Sequence, residues 1–236
     1  LPPLLHVRRE NDADLPLLLW RLDVPMRTVS SGPFGGGLGE RTWVMNATVD
    51  WGYGRLDPDE HVRSLADGLA LTGDGVGLLT AVDVRHRRIV RHDGVEVVNT
   101  VGVSDPTWAA GPPPAGASVP GTINTVVFCP ERLSDAALVN AVATVAEAKA
   151  QAFHDLGVEG TGTPTDAVTV LCPTTGPAAP FGGPRSRWGS VIARAVHRTV
   201  VDGIEAQTAW HAAHPDPLRA PEPTPEPPLD LPVPAP

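Results

Sequence analysis

Between residues 75 and 129 the chain reads as strand after strand, with no stretch that a helix could occupy. GVGLLTAVDV (75–84), RIVRHDG (88–94), VEVVNTVGV (95–103) and GTINTVVFC (121–129) supply the strands, and the third alternates as a half-buried strand does. Parallel neighbours need a crossover of a dozen or more residues, usually a helix. The missing helices therefore predict antiparallel pairing here and argue against a doubly wound parallel sheet.

Helices are expected elsewhere. DPDEHVRSLADGLAL (57–71) has Asp57 as a cap, Pro58 at the first helical position and Glu60 three residues after the cap. SDAALVNAVATVAEAKAQAFHDLG (134–157) begins at a capping Ser134 and stops at Gly157. SRWGSVIARAVHRTVVDGIEAQTAW (186–210) is the last. Residues 4–9 and 15–22 read as two early strands around the turn ENDAD, with TWVMNATV (42–49) and DAVTVLC (166–172) as further strands. The expectation is one α/β domain over residues 1–214, built on a mixed or largely antiparallel sheet flanked by helices. Residues 215–236 carry ten prolines and are expected to be an extended or disordered tail, and GPPPAGASVP (111–120) a loop.

Charge removes several partners. The formal net charge is −9, and the one basic patch, RHRRIVR (85–91), is too small for a nucleic-acid footprint and reads as a solvated strand. No segment approaches membrane-spanning length, and LPPLLHVRRENDADLPLLLW lacks a basic stretch followed by a sustained apolar one, so a cytoplasmic protein without a secretion signal is expected. Cys129 and Cys172 each end an apolar run and read as reduced, buried hydrophobes. The histidines form no metal-ligand spacing, and His61, His154, His197 and His211 are expected on helix surfaces.

Three polar concentrations carry the candidate chemistry. In SSGPFGGGLGERTWVMN (30–46), Gly35, Gly36 and Gly37 permit a close backbone approach, either to a ligand or within a tight turn. Ser30 and Ser31 place hydroxyls before it, and Asn46, Asp50 and Tyr53 follow near one strand end. The loop lacks the spacing of a dinucleotide fingerprint and the lysine of a phosphate loop. In GTINT, period-two alternation puts Thr122 and Asn124 on one face and Ile123 and Thr125 on the other. Polar groups on a buried strand need partners or a ligand. In GTGTPTD (160–166), Thr163 and Thr165 precede Asp166, read either as a turn carboxylate or as part of a binding site. Glu147 sits near the small apolar surface of the alanine-rich helix, while Lys149 is expected to reach solvent. PFGGGLG (33–39) is echoed by PFGGPRSRWG (180–189), two loops that either converge on one ligand or match by chance.

The order of SSGPFGGGLGERTWVMNATV, GLLTAV, GTINTVVF, the EAK helix, TGTPTDAV and GPRSRWGSVIARAV resembles the adenosylcobinamide amidohydrolases, the CbiZ-type enzymes of corrinoid salvage. The resemblance implies hydrolysis of the amide that joins aminopropanol to the corrin side chain, giving adenosylcobyric acid and aminopropanol. It implies a small-molecule corrinoid substrate whose cobalt arrives with it, with no cofactor or metal of the protein's own. Amide hydrolysis needs an activated water or nucleophile and donors for an oxyanion. Glu147 or Asp166 is a candidate base, Asn46 or Asn124 a candidate oxyanion donor, and Ser31 or Thr122 a competing nucleophile. Ser30, Gly35, Gly36, Gly37, Thr122, Thr125, Thr163, Thr165 and Arg185 are candidate substrate contacts. Pro164 and Arg185 depart from the family pattern, the latter where many relatives carry histidine. A corrinoid-binding protein and an amidohydrolase of another metabolite are the alternatives, and a homodimer is the default assembly.

Overall fold

The computed structural model describes residues 1–112 and 121–213, so most of the proline-rich loop and the tail lie outside the described residues. In chain order the elements are β1 (Leu4–Glu10), β2 (Ala13–Ser30), β3 (Gly37–Thr48), α1 (Pro58–Gly68), β4 (Gly75–Thr80), β5 (Arg88–His92), β6 (Val95–Gly102), β7 (Thr122–Phe128), α2 (Asp135–Asp155), β8 (Ala167–Pro173) and α3 (Arg187–Ala213). The strands form one sheet in the order β4-β3-β2-β8-β7-β6-β5, with β1 also on β2. The pairs β3/β4 and β7/β8 are parallel. The others, including β5/β6/β7, are antiparallel, so the chain is a single-domain α/β fold on a mixed sheet.

The 18-residue β2 organises the sheet. One of its edges is divided: β1 pairs with Ala13–Leu19, and β8 pairs with Met26–Ser30. Between them the register to β3 shifts, from Arg21 to Met26. Pro25 lies in that interval and has no N–H to give a ladder. The strand bends there, and the sheet folds back on itself.

Two contacts show the fold-back. Trp20 of β2 lies 5.9 Å from Phe128 of β7, ring centre to ring centre, across the intervening β8. Asn46 of β3 bonds Asn124 of β7 and Thr100 of β6. Leu18, Trp20, Val44, Leu78, Val98 and Val126 fill the space between the two halves. Outside one half, α1 covers Leu17, Leu19, Trp43 and Met45 with Val62 and Ala66. Outside the other, α2 and α3 cover Val97, Ile123, Val127 and Val170. Alternate residues of LPLLLW thus face two different cores, which explains an apolar run where simple alternation would be expected.

The glycine loop answers to its own chain. Gly35 has φ +66°, and a Cβ there would stand 1.8 Å from the carbonyl oxygen of Gly75. Arg41 locks the turn by donating Nη2 to the Gly35 carbonyl at 2.8 Å. The tight-turn alternative is therefore the observed one, against β4. The echoing loop at 180–189 packs likewise: a Cβ on Gly182 would lie 2.1 Å from the Ala137 carbonyl oxygen of α2.

Of the two expected helix caps, one forms. Ser134 caps α2 by accepting the Ala137 N–H, as expected. Asp57 makes no side-chain cap to α1, because both its carboxylate oxygens are taken by Arg55, at 2.9 and 2.8 Å.

Candidate functional site

A cavity of about 580 Å³ opens where the three polar concentrations meet. Ser31 reaches it from the end of β2, Thr122 and Asn124 from the start of β7, and Thr165 and Asp166 from the segment before β8. Thr80 of β4 and Tyr53 and Arg55 of the β3–α1 loop also line it.

Asn124 is 1% exposed. Its Nδ2 donates to Asn46 Oδ1 and to the Leu79 carbonyl, both at 2.9 Å. Those two acceptors fix the amide orientation, since a flipped group would set its oxygen against both. The Nδ2 protons are therefore spent inside the protein, and Asn124 Oδ1 is a buried acceptor without a partner among the described residues. Asn46 Nδ2 donates one of its two protons to Thr100 Oγ1 at 3.1 Å. Asn124 therefore has no proton left for an oxyanion, and Asn46 lines no part of the cavity.

Asp166 is the knot of the site. It accepts from the Ile123 N–H and the Thr163 N–H, both at 2.9 Å, and from the Thr163 hydroxyl and the Lys149 ammonium. Gly162 leaves room for this, because a Cβ there would lie 2.4 Å from both Asp166 Oδ2 and Lys149 Nζ. With both oxygens so engaged, the carboxylate ties the 160–166 segment to β7 and α2. Thr165 donates to the Gly121 carbonyl at 3.1 Å, so the 2.6 Å bond between Thr122 and Thr165 uses the Thr122 proton.

Two hydroxyls keep a proton to give. Ser31 Oγ accepts the Val168 N–H at 3.0 Å, and Thr80 Oγ1 accepts the Val82 N–H at 3.1 Å. Neither hydroxyl donates to another group among the described residues, and Ser31 has no base beside it.

Several candidates stand elsewhere. Glu147 is exposed on α2 and lines no part of the cavity, because Val145, Ala148 and Ala152 define the buried face of that helix. Lys149, expected in solvent, instead turns inward to Asp166 with its side chain 16% exposed. Arg185 is exposed in the turn before α3, outside the cavity wall. Gly35, Gly36 and Gly37 lie outside that wall as well. Ser30 is buried behind it, bonded to Thr169 Oγ1 at 2.8 Å. Thr125 faces away with Ile123, and Thr163 braces Asp166.

Sequence reasoning set His61 on a helix surface, yet it is 3% exposed. It lies next to Val62 and four residues before Leu65, on the edge of the apolar stripe of α1, which was the available signal. The basic patch pairs locally, Arg85 with Asp83 and Arg91 with Glu96. Among the described residues no group of three His, Cys, Asp or Glu side chains converges to hold a metal, and no helix is long and apolar enough to cross a membrane.

A family model described as adenosylcobinamide amidohydrolase matches residues 4–212. An adenosylcobinamide amidohydrolase of Halobacterium salinarum is 34% identical over 196 residues, covering 78% of this chain and 82% of its own length. One from Methanosarcina mazei is 30% identical over 186 residues, covering 75% and 89%.

Proposed function

This chain belongs to the adenosylcobinamide amidohydrolase family, and we propose that it hydrolyses the amide joining the aminopropanol arm to the corrin side chain of adenosylcobinamide. The products are adenosylcobyric acid and aminopropanol, made in the cytoplasm as a step of corrinoid salvage. The observation that carries this reading is the meeting of Ser31, Asn124 and the Asp166 segment on one cavity.

The cavity takes the arm and its amide, while the larger macrocycle rests at the mouth. The β3–α1 loop, whose Tyr53 and Arg55 line the cavity, exposes Trp51 at 55% and Leu56 at 100%, apolar surface suited to a flat ring. The unpartnered Asn124 Oδ1 accepts the N–H of the scissile amide. That bond orients the carbonyl toward the opposite wall. Water adds to the carbonyl carbon, and the oxyanion accepts hydrogen bonds from the Ser31 and Thr80 hydroxyls. Asp166, Lys149 and Thr163 hold the loop in place through the reaction.

The test is release of aminopropanol from adenosylcobinamide by the purified protein. Product formation is expected, and Ser31→Ala lowers kcat by about 100-fold, the usual loss for one oxyanion donor. Corrinoid bound without any release would overturn the reading in favour of a binding protein.

A further inference from the structure

Tyr53 is the single tyrosine of the chain, and it lines the cavity. Its hydroxyl is 3.1 Å from His61 Nδ1, and the two rings stack with centroids 5.5 Å apart. On the other side of the imidazole, Nε2 is 3.1 Å from Oε1 of Glu10. The three residues come from β1, the β3–α1 loop and α1, and the His61 side chain is 4% exposed. An aliphatic residue would fill that slot beside Val62 with no polar group to satisfy, so packing does not call for a histidine there.

The tautomer follows from the partners. An ionised carboxylate only accepts, so Nε2 carries a proton; Nδ1 of the neutral ring then accepts, and the Tyr53 hydroxyl donates to it. Glu10 is held in turn by Arg8, whose Nε donates to Oε2 at 2.9 Å and whose Nη2 donates to the Thr48 carbonyl at 2.7 Å. Arg55 and Asp57, paired with each other, supply the other charges acting on Tyr53, and Asp57 also feels His61.

We propose that Glu10, His61 and Tyr53 form a proton relay that activates the hydrolytic water, Tyr53 being the catalytic residue and His61 and Glu10 the groups that act through it. This rests on the amidohydrolase reading of the same cavity. As the water oxygen bonds to the amide carbon, the carbonyl π pair moves onto oxygen. One water proton passes to the Tyr53 oxygen while the Tyr53 hydroxyl proton passes to His61 Nδ1. The imidazolium so formed is held against Glu10. On collapse the oxyanion pair restores the carbonyl and the C–N bond breaks with its pair on nitrogen. As that bond breaks, the proton returns from His61 through Tyr53 to the nitrogen, so that neutral amine leaves. Amide and water become carboxylic acid and amine, and the relay is restored. Burial raises the phenol above its ordinary value of 10, which suits a hydroxyl that passes a proton on without standing as phenolate.

The test uses the full chain with adenosylcobinamide. Tyr53→Phe keeps the ring and its stacking. Its kcat is expected to fall at least about 100-fold, with corrinoid affinity, read by absorbance titration, within about twofold of wild type. Glu10→Gln keeps the hydrogen-bonding shape and removes the charge, so the imidazolium is less favoured and the acid limb of the kcat–pH profile moves to lower pH. A purely structural role for Glu10 would leave that limb where it was. Tyr53→Phe with kcat within about threefold of wild type, or Glu10→Gln with an unmoved acid limb, overturns the relay alone. A wild-type protein that releases no aminopropanol overturns the functional reading and the relay with it.

Discussion

At the scale of single residues, Asn124 decides most. Both its N–H bonds are spent on holding β3 and β4 to β7, so the side chain links the two halves of the sheet and leaves Oδ1 unbonded among the described residues. Asn124→Ala strands the Leu79 carbonyl and Asn46 Oδ1, and the expected loss is about 3 kcal/mol in denaturant unfolding, at the usual cost of unpaired buried groups. Glu147 has the opposite standing. Exposed on α2, it is expected to tolerate Glu147→Gln with kcat/KM unchanged; a large loss would return it to the reaction. The cysteines supply a pH prediction. Burial pushes the Cys129 thiol up to about 12 and raises Cys172 as well. Both thiols are then expected to resist a thiol reagent at pH 8 in the folded protein and to react in denaturant. The sign for stability follows: an acid whose folded value is raised favours the native state below its unfolded value, near 9, and that contribution is lost as pH rises from about 9 to about 12. An alkaline fall in melting temperature, reduced in Cys129→Ala, checks it.

At the scale of elements, backbone approach explains what side chains do not. Gly35 and Gly37 both have positive φ, but only Gly35 also meets the Gly75 carbonyl, since nothing lies within 4 Å of a Cβ on Gly37. Gly37→Ala is expected to cost about 1 to 2 kcal/mol for the left-handed backbone alone. Gly35→Ala adds a clash with β4 and lowers the melting temperature further; equal losses would contradict the packing argument. Helix α2 is tied to the loop before β8 through Lys149 and Asp166. Lys149→Met leaves a partly buried carboxylate without its cation and is expected to cost about 3 kcal/mol. The GTGTPTD segment drew attention in sequence, because hydroxyls and a carboxylate crowd the start of an apolar strand, but it left a turn carboxylate and a binding site equally open. Its partner was hidden, since a lysine in a helix reads as solvated until the sheet beneath is known.

At the scale of the whole molecule, the class of the sheet was legible and its curvature was not. The succession of strand segments read between 75 and 129 foretold the antiparallel run β5, β6 and β7, but not that β4 pairs parallel with β3. The fold-back was hidden because Pro25 demotes a strand when read locally, whereas here it lies within the bend of a continuous β2. Legibility of the site follows the same division. As lining residues of the cavity, Asn124 could be singled out because polar residues interrupt its apolar strand, Ser31 because it precedes a glycine turn, and Thr165 and Asp166 because hydroxyls and a carboxylate crowd the start of a strand. Glu10 and His61 could not, because only the folded sheet brings β1 to α1. The central claim is that the folded-back sheet makes one cleft that holds the scissile amide. A crystal structure of Tyr53→Phe soaked with adenosylcobinamide tests it most directly. The account predicts the amide N–H within hydrogen-bonding distance of Asn124 Oδ1 and its carbonyl oxygen beside Ser31. A corrinoid whose aminopropanol arm lies instead in the cavity lined by Arg91, Glu96 and Phe128 would contradict it.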